Sequence, residues 1–454
     1  MCITWVMQVD LSLEMKHLNL GHKRRNTRFN HIVNRITSNP CSSIPGALHD
    51  WAEVKGAYRF FSNNKIDASA ISVSINEATK DRCANQQTVL SIQDTTNVCF
   101  SSRAEGLGYL DHGEGNGFMV HNTMAVDTNG CALGLIHQKI WVRDRAEMGK
   151  KKTRASRNIE DKESYKWIEG VKKAEDVLIN KHIIHIADRE ADVYELFAAH
   201  RTANSDLLIR STHERKTILG NSMWSEIEAE TPIAYFDLEV ENIASGTSRT
   251  ASMVIKTGMV IVAAPVHKAQ LPAMLLYGII VTETDALSGK PLLWRLISSV
   301  PVTDHSHALQ LVKYYSYRWR IERFHYIMKS GCKLEELQLR DEKALRRATV
   351  VYSLCAFKLM QMLYYSRTAP ELPCDLFFEE KEWQVMAMVH YKRKVISKKP
   401  LSMKLAITIL GKLGGFLGRK NDGEPGIKNT WRGLQKLHAM MIPFDIHPLD
   451  LSTF

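Results

Sequence analysis

Two strand patterns that each end on an aspartate constrain the fold of this chain most strongly. Residues 89–94 alternate apolar and polar side chains, and residues 182–187 form the near-continuous apolar run of a buried strand. In α/β sheets, side chains at strand ends point into a crevice. We therefore expect Asp94 and Asp188 to line one crevice. Taken singly, each aspartate could be a turn former, and Asp188 could be a helix N-cap.

A third carboxylate belongs to a predicted helix, His307 to Lys329. Tyr315, Arg318, Glu322 and Lys329 lie at i, i+3, i+7 and i+14, spacings that place them along one stripe of a helix. An ordinary exposed Arg318–Glu322 pair, with a value of about 0.2–0.5 kcal/mol, is the simpler interpretation. A tyrosine, an arginine and a lysine around a glutamate also describe a phosphate-binding face beside a metal ligand.

Asp94, Asp188 and Glu322 together predict a site for two Mg²⁺ ions, in which we expect Mn²⁺ to substitute. Magnesium takes oxygen ligands and keeps several waters, so a few carboxylates are sufficient. Two such ions can activate a water or a 3′-hydroxyl and stabilise the leaving oxygen. The sequence has no cysteine or histidine spacing that suits zinc.

The chain divides into three predicted regions. Residues 1–70 are basic and helical, residues 71–369 form an α/β domain with an all-β insertion at about 217–300, and residues 370–454 are helical again. No acidic residue occurs between Lys16 and His49, which favours phosphate contact over a merely solvated face. Arg24, Arg25 and Arg28 are the predicted DNA-binding residues of this segment.

The composition agrees with a DNA-binding protein of the cytoplasm. The net charge of +11 favours a polyanionic partner. Eight cysteines without a C-x-x-C pair fit a reducing compartment. The apolar residues 3–7 are followed at once by Asp10 and Glu14, unlike a signal peptide. The most apolar helix candidate, residues 350–365, is too short to span a bilayer. We expect neither a membrane partner nor a small-molecule cofactor.

Several motifs resemble those of the DDE transposases of the insertion sequence four family. They are Ser-Ile-Gln-Asp94-Thr-Thr, Ala-Asp188-Arg-Glu-Ala-Asp, and Tyr315-Ser-Tyr-Arg318-Trp-Arg-Ile-Glu322-Arg-Phe-His, with Lys329 beyond. The last contains the family's Y-(2)-R-(3)-E-(6)-K signature. Weaker matches occur elsewhere, so the resemblance covers nearly the whole chain.

The resemblance implies an RNase H-like catalytic core with a β-rich insertion before the glutamate helix. It assigns the metal ligands to Asp94, Asp188 and Glu322. By the same likeness, Arg210, Tyr315 and Arg318 grip a DNA phosphate beside a flipped base, and Trp294 and Trp319 are aromatic residues that stack on bases. The remaining member of the signature is Lys329. The N-terminal segment would bind the transposon's inverted-repeat ends, and the C-terminal helices would form the homodimer of the paired-end complex.

The expected function is cut-and-paste transposition on a bacterial nucleoid, through a hairpin intermediate and 3′-hydroxyl transfer into target DNA. One alternative is a stand-alone RNase H-like nuclease. Trp294 and Trp319 argue against it, because simple hydrolysis needs no base-flipping pocket. The other alternative is a catalytically idle DNA-binding derivative, against which the three intact carboxylates argue.

Overall fold

A computed structural model describes most of the chain. The described residues are 11–40, 42–48, 50–101, 104–110, 115–148, 157–242, 247–284, 291–392, 398–420 and 422–446. Most of the basic run 150–157 and two residues of a C-terminal basic patch, Arg393 and Lys394, lie outside them. In the described part, no helix is both long enough and apolar enough to cross a membrane.

Five helices form the N-terminal part. They are α1 Leu11–Met15, α2 Lys23–Ser38, α3 Ile44–Ala47, α4 Trp51–Phe61 and α5 Ala68–Cys83. Phe29, Ile32, Val33 and Ile36 recur at helical spacing and are buried along one side of α2. The opposite side of α2 carries the basic residues, so burial of the apolar stripe turns them outward.

One ten-stranded sheet forms the centre of the molecule. Its strands are β1 Thr88–Phe100, β2 Gly108–Tyr109, β3 Asn116–Val126, β4 Ala132–Trp141, β5 His182–Ala187, β6 Ser205–Arg210, β7 Ala234–Asn242, β8 Thr247–Val262, β9 Met274–Glu283 and β10 Leu293–Ser298. The order is β2-β3-β1-β5-β6-β10-β9-β8-β7, with β4 also paired to β3. β1, β5 and β6 are parallel, and β3 is antiparallel to β1.

Helices before and after β5 complete the α/β layer. α6 Tyr165–Val177 precedes β5, and α7 Tyr194–Ala198 follows it. Trp167 and Val171 of α6 are buried. The apolar run of β5 is needed because five of its six residues are buried.

The insertion predicted at about 217–300 contains β7 to β10, and these strands extend the central sheet. β10 pairs antiparallel with both β6 and β9, so it joins the two parts into one ladder. One short helix, α8 Met223–Glu228, also lies in this segment. Its Trp224 and Ile227 are buried.

The predicted single helix from His307 to Lys329 is wrong. The chain forms α9 His305–Ser316, α10 Trp319–Tyr326 and a wider turn, Ile327–Gly331. Around residues 317–321, several N–H groups bond carbonyls three residues back, which tightens the chain between the helices. Tyr315, Arg318 and Glu322 remain neighbours across this break, whereas Lys329 lies in the wider turn.

Four longer helices end the described chain, namely α11 Glu342–Thr368, α12 Glu380–Tyr391, α13 Met403–Leu413 and α14 Ile427–Ile446. Most of α11 is buried, as expected for a helix surrounded by other elements. Trp431, Leu434 and Leu437 of α14 are also buried. These three side chains pack inside the protein.

Candidate active site

The parallel ladder between β1 and β5 places Asp94 and Asp188 side by side. The last pair of that ladder is Ile92 with Ile186, and each aspartate follows two residues later. Neighbouring strands are about 4.8 Å apart, so the two carboxylates lie close enough to interact. Burial, and then the negative charge of Asp94, raises the pKa of Asp188.

Asp94 does not end its strand, contrary to the prediction. β1 continues to Phe100 because it keeps its antiparallel partner β3, where Asp94 pairs with Asn122. The parallel partner β5 is the strand that ends here. Asp94 therefore lies beside the gap in the sheet that begins where β5 ends.

Asp188 has the capping role that was considered for it. Its Oδ1 accepts the N–H of Glu190 at 2.9 Å, at the start of the short 3₁₀ turn Arg189–Ala191. A carboxylate has two oxygens and about four acceptor sites. Capping uses one of them, so it leaves Asp188 able to bind a second partner.

Glu322 lies in the first turn of α10 and is paired with Arg318. Arg318 is only 6% exposed, and its positive charge also lowers the pKa of Asp188 against the effect of burial. One guanidinium thus acts on two of the three predicted metal ligands.

The donor set has the chemistry of a site for a hard divalent cation. All three predicted ligands are carboxylates, and burial, followed by the charge of the neighbouring Asp94, raises the pKa of Asp188. Within the described residues, no three histidine, cysteine, aspartate or glutamate side chains are gathered as a complete metal site. The two aspartates are preformed, whereas Glu322 is held by Arg318.

His325 is a residue that the site prediction missed. Its Nδ1 faces the Oδ2 of Asp94 at 3.5 Å, and its Nε2 lies 2.9 Å from the Nδ2 of Asn122. The amide oxygen of Asn122 accepts from Gln138 at 2.8 Å. Asn122 therefore donates to His325, which places the imidazole proton on Nδ1, toward Asp94. The Glu-x-x-His spacing of Glu322 and His325 was the available signal, because it puts both on one side of a helix.

Four predicted DNA-binding residues surround one spot beside the carboxylates. The rings of Trp294 and Tyr315 are 6.1 Å apart, and the Arg318 guanidinium is 5.8 Å from the Tyr315 ring centre. Burial raises the pKa of Tyr315, while the charges of Arg318 and Arg210 oppose the rise. The hydroxyl of Tyr315 faces the Arg318 guanidinium, whose interaction lowers the Tyr315 pKa against the effect of burial, and the Nε of Arg318 is buried without a hydrogen-bond partner among the described residues.

The other two predicted residues, Trp319 and Lys329, differ in their surroundings. Trp319 is 58% exposed on the outer side of α10, with the Arg318 guanidinium 5.2 Å from its ring centre. Lys329 lies in the wide turn after α10, where it contacts Asn97 at 3.3 Å and Glu335 at 3.5 Å. Its described contacts are therefore with β1 and with the segment that follows the turn.

The three arginines predicted in the N-terminal segment differ in their surroundings. Arg24 and Arg28 are exposed on α2. Arg25 is half-buried, and its Nη1 donates to the carbonyl of Leu20 at 2.9 Å. Arg24 and Arg28 are open to a ligand, whereas Arg25 holds the turn before the helix.

Comparison with known proteins gives a consistent result along the chain. Three family models match: "Transposase DNA-binding" at residues 10–66, "Transposase DDE domain" at 164–357 and "Transposase Tn5 dimerisation domain" at 354–443. A solved structure described as the piggyBac transposase synaptic complex with hairpin DNA is 9% identical, with a TM-score of 0.35. That alignment covers 94% of this chain and 81% of the other.

The assignment rests on the three family models and the residues described above. The DDE domain match and the mixed sheet with helical flanks confirm the expected RNase H-like core. The DNA-binding and dimerisation matches confirm that the protein binds DNA and forms dimers. The DDE domain also implies use of a divalent metal. This chain belongs to the DDE transposases of the insertion sequence four family, enzymes that cleave DNA and transfer its strands, and it is similar to the transposase of transposon five.

Proposed function

We propose that this transposase moves its element by a cut-and-paste reaction in the bacterial nucleoid, with Asp94, Asp188 and Glu322 as the metal ligands. Two Mg²⁺ ions, or Mn²⁺ in their place, would supply an activated water or 3′-hydroxyl and stabilisation of the leaving oxygen. The observation that carries the proposal is the aspartate pair at matched positions of β1 and β5, which sets two carboxylates side by side.

Arg318 connects DNA binding to the state of Glu322. Its guanidinium is paired with Glu322, and its buried Nε has no partner among the described residues. A guanidinium fork matches phosphate oxygens. In the proposed mechanism, Arg318 exchanges Glu322 for the phosphate of an entering DNA strand, which releases the Glu322 carboxylate to join the aspartates.

A hairpin allows one active site to break two strands of opposite polarity. The first cut frees a 3′-hydroxyl, which attacks the opposite strand, and water later reopens the loop. Unstacking the base in the tight turn costs about a few kcal/mol, and an aromatic ring returns about 1–3 kcal/mol per stacked base. Trp294 is the proposed stacking residue, with Tyr315, Arg318 and Arg210 holding the adjacent phosphate. Trp319 is proposed to stack on a second base.

Recognition of the inverted-repeat ends is proposed for the N-terminal helices, through the exposed Arg24 and Arg28. The dimer contact of the paired-end complex is proposed for exposed apolar side chains of the C-terminal part, such as Leu417 and Ile442. The buried Trp431, Leu434 and Leu437 are unsuited to it. Replacing Leu417 and Ile442 together by serine should leave single-end binding intact and weaken the paired-end complex on a native gel.

The central test compares binding and cleavage in the same preparations. Asp94→Ala, Asp188→Ala and Glu322→Ala should each abolish nicking and strand transfer on a cognate end in Mg²⁺, while gel-shift binding remains, because these residues hold metal rather than bases. Asp176→Ala, which removes an exposed carboxylate of α6, is the matched control and should cleave normally. Cleavage by Glu322→Ala would refute its assignment, and nicking without strand transfer by the wild type would favour a nuclease.

A further inference from the structure

A second basic site lies on α10, away from Glu322. A cavity of about 150 Å³ opens between the turn at Asn129–Gly130, α10 and the last turns of α11. Three guanidinium groups line it, those of Arg320, Arg323 and Arg367. Arg320 and Arg323 are three residues apart and share one side of the helix, whereas Glu322 points elsewhere. This basic cavity is therefore distinct from the carboxylate site.

Two arginines of the basic cavity, Arg320 and Arg323, differ from Arg346 in their charge environment. Arg346 is paired with Glu342. Neither Arg320 nor Arg323 forms an ion pair with any residue that the structure describes. Burial, and then the like charge of Arg323, lowers the pKa of Arg320. A partly buried positive charge is unfavourable unless a counter-charge binds it, so the cavity is suited to an anion.

The wall of the basic cavity is built by close packing. Gly130 has a φ of +86°, and a Cβ there would lie 2.8 Å from the ring of Tyr317. The guanidinium of Arg320 is 5.9 Å from the centre of that ring. The nearby carboxylate of Asp127 accepts the N–H groups of Asn129 and Cys131, both at 2.8 Å. Both bonds end on the Oδ1 of Asp127.

Exposed aromatic and basic side chains connect the two sites across α10. Trp319 and Tyr326 are 58% and 45% exposed, and Arg323 is exposed beside them. At 100° per residue, Trp319 and Arg323 lie between Glu322 and Arg320 around the helix. A helix with its side chains is about 10–12 Å wide. Aromatic faces interleaved with arginine are typical of surfaces that follow a nucleic-acid strand.

The basic cavity and the end of α4 lie toward opposite ends of α11. Arg347, near the start of α11, donates to the carbonyls of Phe61 and Ile66. Tyr364, which lines the cavity, is about 25 Å further along that helix, at 1.5 Å per residue. A ligand in the cavity therefore makes a contact separate from those of Arg24 and Arg28.

We propose that the basic cavity of Arg320, Arg323 and Arg367 binds a backbone phosphate of the DNA that crosses the active site. The proposal rests on the function proposed above. Both DNA and free inorganic phosphate could supply a phosphate group to this cavity. The charge and size of the cavity, and the exposed aromatic side chains between it and Glu322, favour the DNA backbone. The cavity would hold the strand on the far side of α10 while Arg318 holds the phosphate at the carboxylates.

The first arm of the test uses inorganic phosphate as the probe. Thermal unfolding of the wild type and of Arg320→Gln/Arg323→Gln is compared in phosphate and in NaCl of equal ionic strength. Phosphate should raise the Tm of the wild type and not that of the variant, because only an intact site gains binding free energy. Arg323→Gln alone changes an exposed residue and provides a second variant for which folding is not at risk. Arg419→Gln/Lys420→Gln removes two exposed charges elsewhere and should respond as the wild type does.

The second arm measures how binding of a duplex DNA end depends on salt. Loss of one phosphate contact should reduce the slope of log K against log salt by about one unit in Arg320→Gln/Arg323→Gln. The slope of the Arg419→Gln/Lys420→Gln control should not change. If phosphate no longer raised the Tm of Arg320→Gln/Arg323→Gln but the salt slope of DNA binding was unchanged, the cavity would bind free anions only. That result would overturn the DNA assignment. A retained phosphate effect overturns the site itself. A wild type that bound no DNA would instead contradict the proposed function.

Discussion

Asp192 with Arg215 and Glu322 with Arg318 are both arginine–carboxylate pairs, but they differ in what surrounds them. Asp192 also accepts hydrogen bonds from Ser211 and from the N–H groups of Thr212 and His213, and both partners are buried. Glu322 is about one-third exposed and accepts from Arg318 alone among the described residues, whereas the Nε of Arg215, like that of Arg318, is buried without a described partner. A carboxylate whose hydrogen bonding is saturated is locked in place, whereas an unsaturated, partly exposed carboxylate can exchange its partner for a ligand. The same distinction separates structural from functional groups elsewhere in the chain.

The largest effect tests the two pairs directly. Asp192→Ala leaves Arg215 buried without its counter-charge and should lower the free energy of unfolding by about 3–5 kcal/mol. Glu322→Ala should cost less than about 1 kcal/mol, because its carboxylate is partly exposed and Arg318 stays beside Asp188. Chemical denaturation of both variants measures this difference. Equal losses of stability would mean that the Glu322–Arg318 pair is structural.

His325 tests whether a bond to a site carboxylate supports function without supporting the fold. His325→Ala removes the group that faces Asp94 and should reduce cleavage by about 10–100-fold, as for other partners of metal ligands. His325→Asn, which keeps a donor, should restore part of the activity. The Mg²⁺ concentration needed for half-maximal cleavage should rise in the alanine variant. Loss of stability with normal cleavage per folded molecule would assign His325 to packing.

Trp294 tests the unsaturated pocket around Tyr315. Trp294→Ala should leave the first nick intact and slow hairpin formation and resolution, since about 1–3 kcal/mol of base stacking is lost. Nicked ends should then accumulate on a denaturing gel. A purely structural tryptophan would behave differently, with nicking and hairpin formation falling together and a lower Tm.

The smallest effect compares arginines within α2. Arg24→Gln/Arg28→Gln should flatten the salt dependence of end binding by about one unit per lost phosphate contact. Arg25→Gln should leave the salt slope unchanged and lower stability slightly, because the Arg25 guanidinium is bound to the Leu20 carbonyl. The opposite result would be a change in slope by Arg25→Gln as large as that of the double variant. In that case, a bond to a backbone carbonyl would not separate structural from DNA-binding arginines.

The sequence predicted strands better than it predicted contacts. The strand-rich sequence of residues 217–300 is a local signal, and β7 to β10 all lie within that range. The break between α9 and α10 was not predictable from the sequence. It depends on backbone N–H groups that bond the carbonyl three residues back instead of four. The extension of β1 beyond Asp94 depends on its partner β3, which a single strand pattern does not reveal.

Side-chain roles were the hardest to predict. Charge alone grouped Arg25 with Arg24 and Arg28, although its partner is a backbone carbonyl. Lys329 occupies the last position of the family's signature, yet its ion pair is with Glu335. Apolar spacing in α14 does not say whether Trp431 faces a second subunit or its own core, and the structure places it inside. Each answer depends on residues distant in sequence.

The bond between β6 and β10 has a consequence for engineering a smaller enzyme. β10 covers one edge of β6 through Leu208, Ile209 and Arg210. Excising β7 to β10 would leave that edge with free N–H and C=O groups, which are a template for pairing with another chain. A shortened protein of this kind should aggregate unless a charged or proline-bearing edge replaces β10. β10 also carries Trp294 and pairs with Arg210 of β6. Its removal would therefore both lower the solubility of the protein and destroy the proposed base pocket.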